Sequence, residues 1–419
     1  MEDLLGILIE ESWQAIERSN GDVERLQSFP VADDFIKVAI GMRRSGKTHF
    51  LYQTIRQLLD QGVFKQQILF INFEDERLLP MSAQELGQLI EAFYRLYPAN
   101  HNRRCYLFLD EVQNVADWQR VVRRFYDTKD AQIYLTGSSA KLLSQEIHTS
   151  LRGRAMARQV FPYNFEEFLR AHNIAKPSQP FGNIAYDHMH EQLLNYFEIG
   201  GFPAVQTIPD YERAQVLQSY VDTVILKDVV ERYKVTNVTL LRYLAFSVLQ
   251  NACETFSVSK FCKDIKSQGY RVSRDTIYQY LQYLEDACLI YPVTLYSPSI
   301  RVRQNQYKKY YAVDNGLLKA SSFEISHNYG RLLENLVYLD LKRQFYNVYY
   351  YRTQSGYEVD FVAVDYRGHR QIVQVTWDMT DKLTYEREQR ALEQAQHELG
   401  CEGAILTAKD YLRQLVVDS

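Results

Sequence analysis

The octapeptide GMRRSGKT, Gly41–Thr48, constrains the fold more than any other part of this sequence. It follows an apolar stretch, Ile36–Ile40, that predicts a buried strand, and it precedes a segment with helical periodicity. The octapeptide matches G-x-x-x-x-G-K-[ST] at every fixed position, in the strand–loop–helix context that this pattern requires. Such a loop turns its backbone N–H groups toward phosphate oxygens, and the following helix N-terminus adds donors. The sequence therefore predicts an α/β domain that binds ATP with Mg²⁺.

Each residue type in this loop has an expected role. Glycines let the backbone curl closely around phosphate, and Lys47 is expected to bridge the β- and γ-phosphates. The hydroxyl of Thr48 is expected to ligate Mg²⁺. The complete set of expected nucleotide-binding residues is Gly41, Met42, Arg43, Arg44, Ser45, Gly46, Lys47 and Thr48.

A second motif, CYLFLDE, ends in two adjacent acids, Asp110 and Glu111. Its apolar residues predict a buried strand, and ligands of parallel α/β sheets bind at the carboxyl ends of the strands. We therefore expect Asp110 to hold Mg²⁺ through water and Glu111 to orient or deprotonate the attacking water.

Two further residues are weaker candidates for catalysis. Ser138 follows a predicted strand, Ile133–Gly137, and could contact the γ-phosphate or the attacking water, or simply cap a helix. Arg154, or else Arg152, could stabilise transition-state charge, either in its own chain or from a neighbouring subunit. The latter role would require a homo-oligomer, and a plain surface arginine is the alternative.

Short apolar runs alternate with helical periods from Phe35 onward, which predicts a parallel sheet with helices on both faces. The predicted strands are Ile36–Ile40, Ile68–Phe73, Tyr106–Asp110 and Ile133–Gly137, with a further strand near Ala157–Phe161. The predicted parts of the chain are an N-terminal helical segment (1–34), the nucleotide-binding domain (35–170), a helical region (184–255), a winged-helix-like domain (256–312) and a C-terminal α/β domain (325–419).

Composition limits the partners and the compartment. The net charge of the 419-residue chain is −4, so any contact with nucleic acid requires a local basic surface. Five cysteines without a pairing pattern indicate free thiols in a reducing compartment. The sequence has no run of about 18 apolar residues, and its N-terminus lacks the basic stretch of a secretory signal. These features favour a cytoplasmic protein without membrane contact.

Residues 256–310 provide such a basic surface, with nine Lys and Arg against four Asp and Glu. The pattern predicts two helices with Gly269 in the turn, followed by β-rich sequence. On the second helix a core face would leave three polar residues exposed, Arg274, Thr276 and Gln279. The cations of the expected wing are Arg301, Arg303, Lys308 and Lys309. This winged-helix pattern predicts binding of duplex DNA or, alternatively, packing against protein.

Several longer motifs carry a resemblance to a known family. GMRRSGKT, LFLDEVQNVADWQRVVRRFYD and IYLTGSSAKLLSQEIHTSLRGRAMARQVFPYNFEEFL resemble prokaryotic AAA-type ATPases fused to a C-terminal domain of unknown function. YFEIGGFPAV, ILKDVVERY, YAVDNGL, GRLLENLVYLDLKR and GYEVDFV extend the resemblance over nearly the whole chain from Phe35. The resemblance implies a catalytic glutamate next to the Walker B aspartate, which corresponds to Glu111 beside Asp110. It also implies a C-terminal fold similar to PD-(D/E)xK nucleases.

A nuclease of that type needs metal-binding carboxylates and a lysine near the attacking water. Glu334 and Asp360 stand where the helix glutamate and the strand aspartate are expected. The following strand should read Glu-x-Lys but has Gln374 and Thr376 instead. Glu358 could replace one ligand, but no nearby residue in the sequence replaces the lysine. We expect an inactive nuclease fold, with an active nuclease of migrated site or an unrelated hairpin as alternatives. A structural ion pair or a non-catalytic site would explain why the carboxylates are present.

These observations together predict a Mg²⁺-dependent ATPase that couples hydrolysis to a DNA- or protein-linked conformational switch. The alternatives are a nucleotide-gated scaffold with slow turnover and an ATP-gated nuclease.

Overall fold

The computed structural model describes residues 2–138, 153–178, 181–270, 272–321, 328–345, 347–379 and 382–416. The chain divides into two compact units. The first contains Met1–Phe161 with Asp286–Cys288, and the second contains Pro162–Glu285 with Leu289–Ser419. No helix in the described part of the chain is both long and apolar enough to cross a bilayer. All five cysteines are free thiols, as the sequence predicts.

A parallel five-stranded sheet forms the centre of the first unit, with the order β2-β3-β4-β1-β5. This sheet matches the predicted P-loop fold. The strands are β1 (Ile36–Ile40), β2 (Ile68–Asn72), β3 (Cys105–Asp110), β4 (Ala131–Gly137) and β5 (Ala155–Gln159).

Helices cover both faces of this sheet, because successive residues of each strand point to opposite sides. Val38 and Leu107 belong to one core cluster, whereas their neighbours Ala39 and Phe108 belong to another on the opposite face. Residues of α1, α3 and α4 pack into the first cluster, and residues of α2 pack into the second. The bounds of these helices are α1 (Glu2–Arg18), α2 (Lys47–Asp60), α3 (Ala83–Leu96) and α4 (Trp118–Thr128).

The parallel register decides which residues share an edge of the sheet. Ile40 pairs with Gly137, and Asn72 pairs with Asp110, so these residues all lie at the carboxyl ends of their strands. The loop Gly41–Thr48 leaves the sheet at that edge. In contrast, β5 begins with Ala155 beside Ile36, at the opposite edge.

The second unit begins with helices and continues with a small antiparallel sheet of order β6-β8-β7. Its strands are β6 (Thr255–Phe256), β7 (Ile290–Val293) and β8 (Lys308–Ala312). The expected β-rich wing differs in detail, since a short helix separates β7 from β8. The helices to this point are α5 (Phe165–Ala171), α6 (Asn183–Ile199), α7 (Asp210–Thr223), which continues through a π-helical segment (Val224–Val230) into α8 (Glu231–Tyr233), α9 (Val238–Gln250), α10 (Val258–Ser267), α11 (Arg274–Asp286) and α12 (Ile300–Asn305).

A four-stranded mixed sheet of order β12-β11-β10-β9 ends the second unit. β10 pairs antiparallel with β9 and β11, and β11 pairs parallel with β12. The strands are β9 (Asn347–Arg352), β10 (Glu358–Val364), β11 (Arg370–Val375) and β12 (Gly403–Leu406), and the helices are α13 (Asn315–Ser321), α14 (Tyr329–Gln344), α15 (Lys382–Leu399) and α16 (Ala408–Arg413).

Two motifs of the family resemblance, YFEIGGFPAV and YAVDNGL, contact each other in the second unit. The carboxylate of Asp314 accepts hydrogen bonds from the backbone N–H groups of Gly201 (2.6 Å) and Leu317 (3.2 Å). A Cβ atom on Gly201 would lie 2.2 Å from the carbonyl oxygen of Tyr163, and one on Gly316 would lie 2.9 Å from Cα of Gly200. Only glycine allows such close backbone contact, so these motifs have a structural role here.

Candidate nucleotide-binding site

The backbone of the loop after β1 is shaped to bind an anion. Arg44 has φ 67° and Gly46 has φ 98°, and α2 begins at the next residue, Lys47. Left-handed residues within such a turn direct successive N–H groups to one side and form a concave site for anions. A Cβ atom on Gly41 would lie 2.1 Å from the carbonyl oxygen of Val160, so the first position of the loop accepts only glycine.

Lys47 lies inside this loop and is almost fully buried, with 4% of its side chain exposed. Its ammonium group donates to the carbonyl oxygens of Gly41 (3.2 Å) and Met42 (3.4 Å). The same group lies 3.2 Å from Oε1 of Glu111. A buried cation at the start of a helix is well placed to bind phosphate oxygens.

Asp110 ends β3 and is fully buried between two threonines. Oγ1 of Thr48 donates to Oδ2 of Asp110 at 2.7 Å, and the hydroxyl of Thr136 donates to Oδ1. Burial and the neighbouring Glu111 carboxylate raise the pKa of Asp110 to about 6. The two residues expected at the Mg²⁺ site, Thr48 and Asp110, are therefore in direct contact.

Glu111 is buried and adopts an unusual left-handed conformation, with φ 51°. Its backbone N–H donates to Oγ1 of Thr136 (2.8 Å), and Nε2 of Gln113 donates to its Oε2. Burial opposes ionisation, but the ammonium of Lys47 and the amide of Gln113 outweigh it and lower the pKa of Glu111. The lowered pKa leaves an ionised carboxylate beside the loop.

The residues present fit a phosphate chain with Mg²⁺. Loop N–H groups and Lys47 are donors suited to phosphate, and the Thr48 hydroxyl and Asp110 carboxylate are hard oxygen ligands suited to Mg²⁺. In addition, the hydroxyl of Ser45 is fully buried in the loop without a hydrogen-bond partner in the described structure. A buried polar atom of that kind is costly unless a ligand satisfies it.

The other predicted site residues do not all lie near the loop. Ser138 is buried directly after β4, at the same edge as the loop, and Met42 is buried within the loop. Arg43 pairs with Glu74 at 2.5 Å at the surface. Arg154 precedes β5 at the opposite edge of the sheet, where it pairs with Asp127, so the structure does not bring it to the loop of its own chain. Arg152 lies outside the described residues.

Sequence reasoning missed the importance of Thr136. Among the polar residues near the end of this strand, only Ser138 is predicted from the sequence as a site residue. The hydroxyl of Thr136 contacts both Asp110 and the N–H of Glu111. The parallel pairing of Leu109 with Leu135 places Thr136 beside Asp110. The sequence feature that could have indicated Thr136 is a polar residue near the end of a buried strand.

The C-terminal carboxylates form a second cluster, which contains an unexpected lysine. We call Lys309, Glu334, Glu358 and Asp360 the Lys309 cluster. Nζ of Lys309 lies 3.4 Å from Oε1 of Glu334, 2.8 Å from Oε1 of Glu358 and 3.5 Å from Oδ1 of Asp360. The sequence pattern predicts no lysine near these carboxylates, whereas the structure places Lys309 beside them. Lys309 comes from β8, far away in sequence.

Gln374 and Thr376, which stand where Glu-x-Lys was expected, have other partners. Oε1 of Gln374 accepts from the backbone N–H of Asp360 (3.1 Å), and its Nε2 donates to Oε2 of Glu388 (2.6 Å). The hydroxyl of Thr376 donates to the carbonyl oxygen of Asp378 (3.1 Å). The amide of Gln374 thus links a strand backbone to a buried helix carboxylate, a task that needs both an acceptor and a donor.

Electrostatics indicates that Lys309 offsets part of the negative charge of the carboxylates around it. Burial and the neighbouring Glu334 raise the pKa of Asp360 to about 8. Burial opposes the charge of Lys309, but Glu334, Asp360 and Glu358 outweigh it and raise the pKa of Lys309. Among the described residues, no group of three or more His, Cys, Asp or Glu side chains is arranged to hold a metal ion. In this structure Glu334, Glu358 and Asp360 therefore surround an ammonium group.

Comparison with protein families identifies three regions of the chain. A family model described as an AAA domain matches residues 33–169. Two models of domains of unknown function, DUF8612 and DUF4143, match residues 190–325 and 329–413. The region with the phosphate-binding loop is therefore an AAA domain.

Full-length relatives show the same family. An uncharacterized protein of Methanocaldococcus jannaschii, MJ1544, is 34% identical over 365 residues, which are 86% of this chain and 78% of that protein. The chain belongs to the family of MJ1544. An uncharacterized protein of Haemophilus influenzae is 33% identical over 331 residues, 79% of this chain and 80% of its own length. This family of AAA-type ATPases is the one to which the motifs point.

Solved structures match over long stretches but with low similarity. The ORC1 protein of Aeropyrum pernix in complex with DNA covers 77% of this chain and 93% of its own, with 11% identity and a TM-score of 0.31. Cdc6p of Pyrobaculum aerophilum covers 78% and 94%, with 12% identity and a TM-score of 0.26.

Proposed function

We propose that this protein is a Mg²⁺-dependent ATPase whose hydrolysis drives a DNA- or protein-linked conformational switch. The observation that carries the proposal is the convergence of four side chains at one edge of the AAA domain. Lys47, Thr48, Asp110 and Glu111 are joined there by contacts of 2.7–3.2 Å, together with the shared bonds of Thr136.

Lys47 and Glu111 form an ion pair that holds both side chains in place in this structure. A triphosphate in the loop would compete for the ammonium of Lys47, which now interacts with two loop carbonyls and with Glu111. Glu111 would then lose a strong partner but keep Gln113 and the backbone bond to Thr136 that orient it. Mg²⁺ would neutralise phosphate charge when bound with ATP. Glu111 would serve as the acceptor that positions the attacking water.

The variant Glu111→Gln tests the proposal. Glutamine keeps the size of the side chain but cannot accept a proton, so we expect ATP binding to be retained and turnover to fall by about 10²–10⁴. Glu74→Gln is a matched control, because Glu74 pairs with Arg43 of the loop at the surface but does not contact Asp110 or Lys47. Steady-state phosphate release and titration with a fluorescent ATP analogue measure the two quantities. Unchanged turnover in Glu111→Gln would remove this glutamate from the mechanism.

An exposed cationic surface supports duplex DNA as the coupled partner. Lys260, Lys263 and Lys266 project from α10, Arg274 lies at the start of α11, and Arg301 lies in α12; all five are exposed. Within the described residues none of them forms an ion pair. Exposed Tyr278 and Gln279 lie on α11 beside Arg274. Exposed cations without ion-pair partners among the described residues are the electrostatic footprint expected of a DNA-binding surface.

The surface is smaller than the sequence suggests. Lys309, counted among the wing cations, is buried in the Lys309 cluster, and Lys308 lies 3.5 Å from Glu285. The proposed surface therefore consists of residues from α10, α11 and α12. We also propose that residues 256–312 form a winged helix and that the chain has the five parts predicted from its sequence.

Binding to a DNA duplex at increasing salt concentration tests this part. Because cations that contact phosphates release counterions, the logarithm of the affinity should fall linearly with the logarithm of salt concentration. The triple variant with Lys263, Lys266 and Arg274 changed to Gln should reduce the slope by about two to three. Lys308→Gln serves as the control from the same region. Binding that is insensitive to salt, or absent at low salt, contradicts a DNA partner.

Turnover with and without duplex DNA distinguishes a coupled ATPase from a nucleotide-gated scaffold. We expect DNA to change the rate of phosphate release, whereas a scaffold would show slow turnover under both conditions.

Incubation of plasmid with ATP and Mn²⁺ addresses the remaining alternative, an ATP-gated nuclease, with Asp360→Ala as its control. We expect intact plasmid, because Lys309 compensates the carboxylates of its cluster.

A role for Arg154 as a finger in a neighbouring subunit remains a prediction that requires a homo-oligomer.

A further inference from the structure

Arg25 lies outside the matched AAA domain but contacts its phosphate-binding loop. The residue belongs to the segment between α1 and β1, and only 8% of it is exposed. Its backbone is fixed on α2 by Gln53. Oε1 of Gln53 accepts from the N–H of Arg25 (2.8 Å), and Nε2 of Gln53 donates to its carbonyl oxygen (3.1 Å). The segment is therefore attached to the helix that begins at the loop.

The guanidinium group of Arg25 approaches the loop from behind. Nη1 donates to the carbonyl oxygen of Ser45 at 3.0 Å. That carbonyl belongs to the same planar peptide unit as the N–H of Gly46. In a loop whose N–H groups face an anion, the carbonyl of each such unit points the opposite way. Arg25 thus fixes one peptide plane of the loop and, as a cation, polarises its N–H group.

The second contact of Arg25 extends the same support to the other side of the loop. Nη2 donates to the carbonyl oxygen of Phe161. The preceding residue, Val160, holds its own carbonyl against Gly41, and its N–H donates to the carbonyl of Ile40 at 2.6 Å. One side chain therefore bridges the end of the loop to the segment that packs on its beginning.

We propose that Arg25 is a positioning residue for the phosphates of the nucleotide. It acts through the Ser45–Gly46 peptide unit and contributes positive charge without touching the ligand. This inference rests on the proposed nucleotide binding. It adds the segment between α1 and β1 to the site, although the AAA family model begins only at residue 33.

The test compares Arg25→Met and Arg25→Lys with wild type. Loss of two charge-assisted hydrogen bonds should raise both KM and the Kd for ATP roughly 10–100-fold, with a smaller change in kcat. Lysine can make only one of the two contacts, so an intermediate KM is expected. Arg158→Met is the matched control, since Nε of Arg158 donates to the carbonyl oxygen of Ser28 (3.1 Å) in the same segment but not to the loop.

The effect on KM separates positioning from general stability. A residue that only stabilises the fold would change the melting temperature and the active fraction, but not the KM of the molecules that remain folded. Wild-type KM in Arg25→Lys, or an equal rise in Arg158→Met, overturns the inference. If Arg25→Met does not fold, Gln53→Met tests the same support from its other end and should also raise KM. Failure of wild type to bind ATP would instead contradict the proposed function.

Discussion

Two buried lysines occupy opposite kinds of environment in this protein. Lys47 has 4% of its side chain exposed and Lys309 has 3%, and both contact carboxylates. Lys47 lies in a loop at the edge of a parallel sheet, where one carboxylate and two carbonyl oxygens bind it. Lys309 lies in a strand and contacts three carboxylates. We propose that this difference separates their roles. Lys47 can exchange its few partners for a ligand, whereas Lys309, held by three carboxylates, is structural.

The variant Lys47→Ala should give the largest effect. We expect the affinity for ATP to fall by a factor of roughly 30 to 5,000, because the variant lacks the buried ammonium that is proposed to bind the phosphates, and truncating one partner of a buried charge pair costs about 2–5 kcal/mol. Titration with a fluorescent ATP analogue measures the loss. Lys65→Ala, at an exposed site on a loop after α2, should bind ATP normally. ATP affinity close to that of wild type in Lys47→Ala would place the nucleotide elsewhere.

The variant Lys309→Met should have the complementary effect. Removing the cation from the Lys309 cluster leaves buried carboxylates without compensation, so we expect a loss of about 3–5 kcal/mol in the free energy of unfolding. The KM for ATP should remain that of wild type. Lys308→Met should cost less than about 1 kcal/mol, since Lys308 is half-exposed. Chemical denaturation measures both variants. A fully stable Lys309→Met protein would show that the cluster does not need its lysine.

A third prediction concerns Gln374, which separates this cluster from a nuclease motif. Restoring the carboxylate with Gln374→Glu removes the donor to Glu388 and places two acids together, with an expected loss of about 1–3 kcal/mol in unfolding free energy. Gln371→Glu, on an exposed position of the same strand, is the control. Denaturation at pH 8 and pH 5 should show a smaller loss at the lower pH, where the pair can share a proton. Equal stability of wild type and Gln374→Glu at both pH values would contradict the role assigned to the amide.

Per pH unit, the smallest effect should be the pH dependence due to Asp360. Its pKa is raised from 3.8 to about 8, so between about pH 4 and pH 8 the folded state binds more protons than the unfolded state. Stability from this group is therefore fully present at low pH and decreases as the pH rises through this window, by at most about 1.4 kcal/mol per pH unit. Asp360→Asn should lose this slope. Parallel stability curves for the two proteins would contradict the shift.

Most residues of the candidate nucleotide site could be selected from the sequence, because they lie in two short contiguous stretches. Gly41–Thr48 is contiguous, and Asp110 and Glu111 are adjacent at the end of an apolar run. Parallel strands bring their carboxyl ends to one edge, so the pattern of strands and helices implied that these two stretches meet. Thr136 and Arg25 could not be predicted from residue types. The contact of Thr136 with Asp110 depends on strand register, and the role of Arg25 depends on its bond to the carbonyl of Ser45.

The AAA-type domain could be predicted from sequence alone, because its strand–loop–helix pattern around Gly41–Thr48 is contiguous. The surroundings of the C-terminal carboxylates became visible only in the folded chain. Lys309 is 25 residues before Glu334 and 51 before Asp360 along the chain, and no periodicity relates a residue of β8 to one of β10. Folding brings the two sheets of this unit together and places the four side chains of the cluster in contact. Whether buried carboxylates bind a metal or a lysine depends on which groups share their low-dielectric environment.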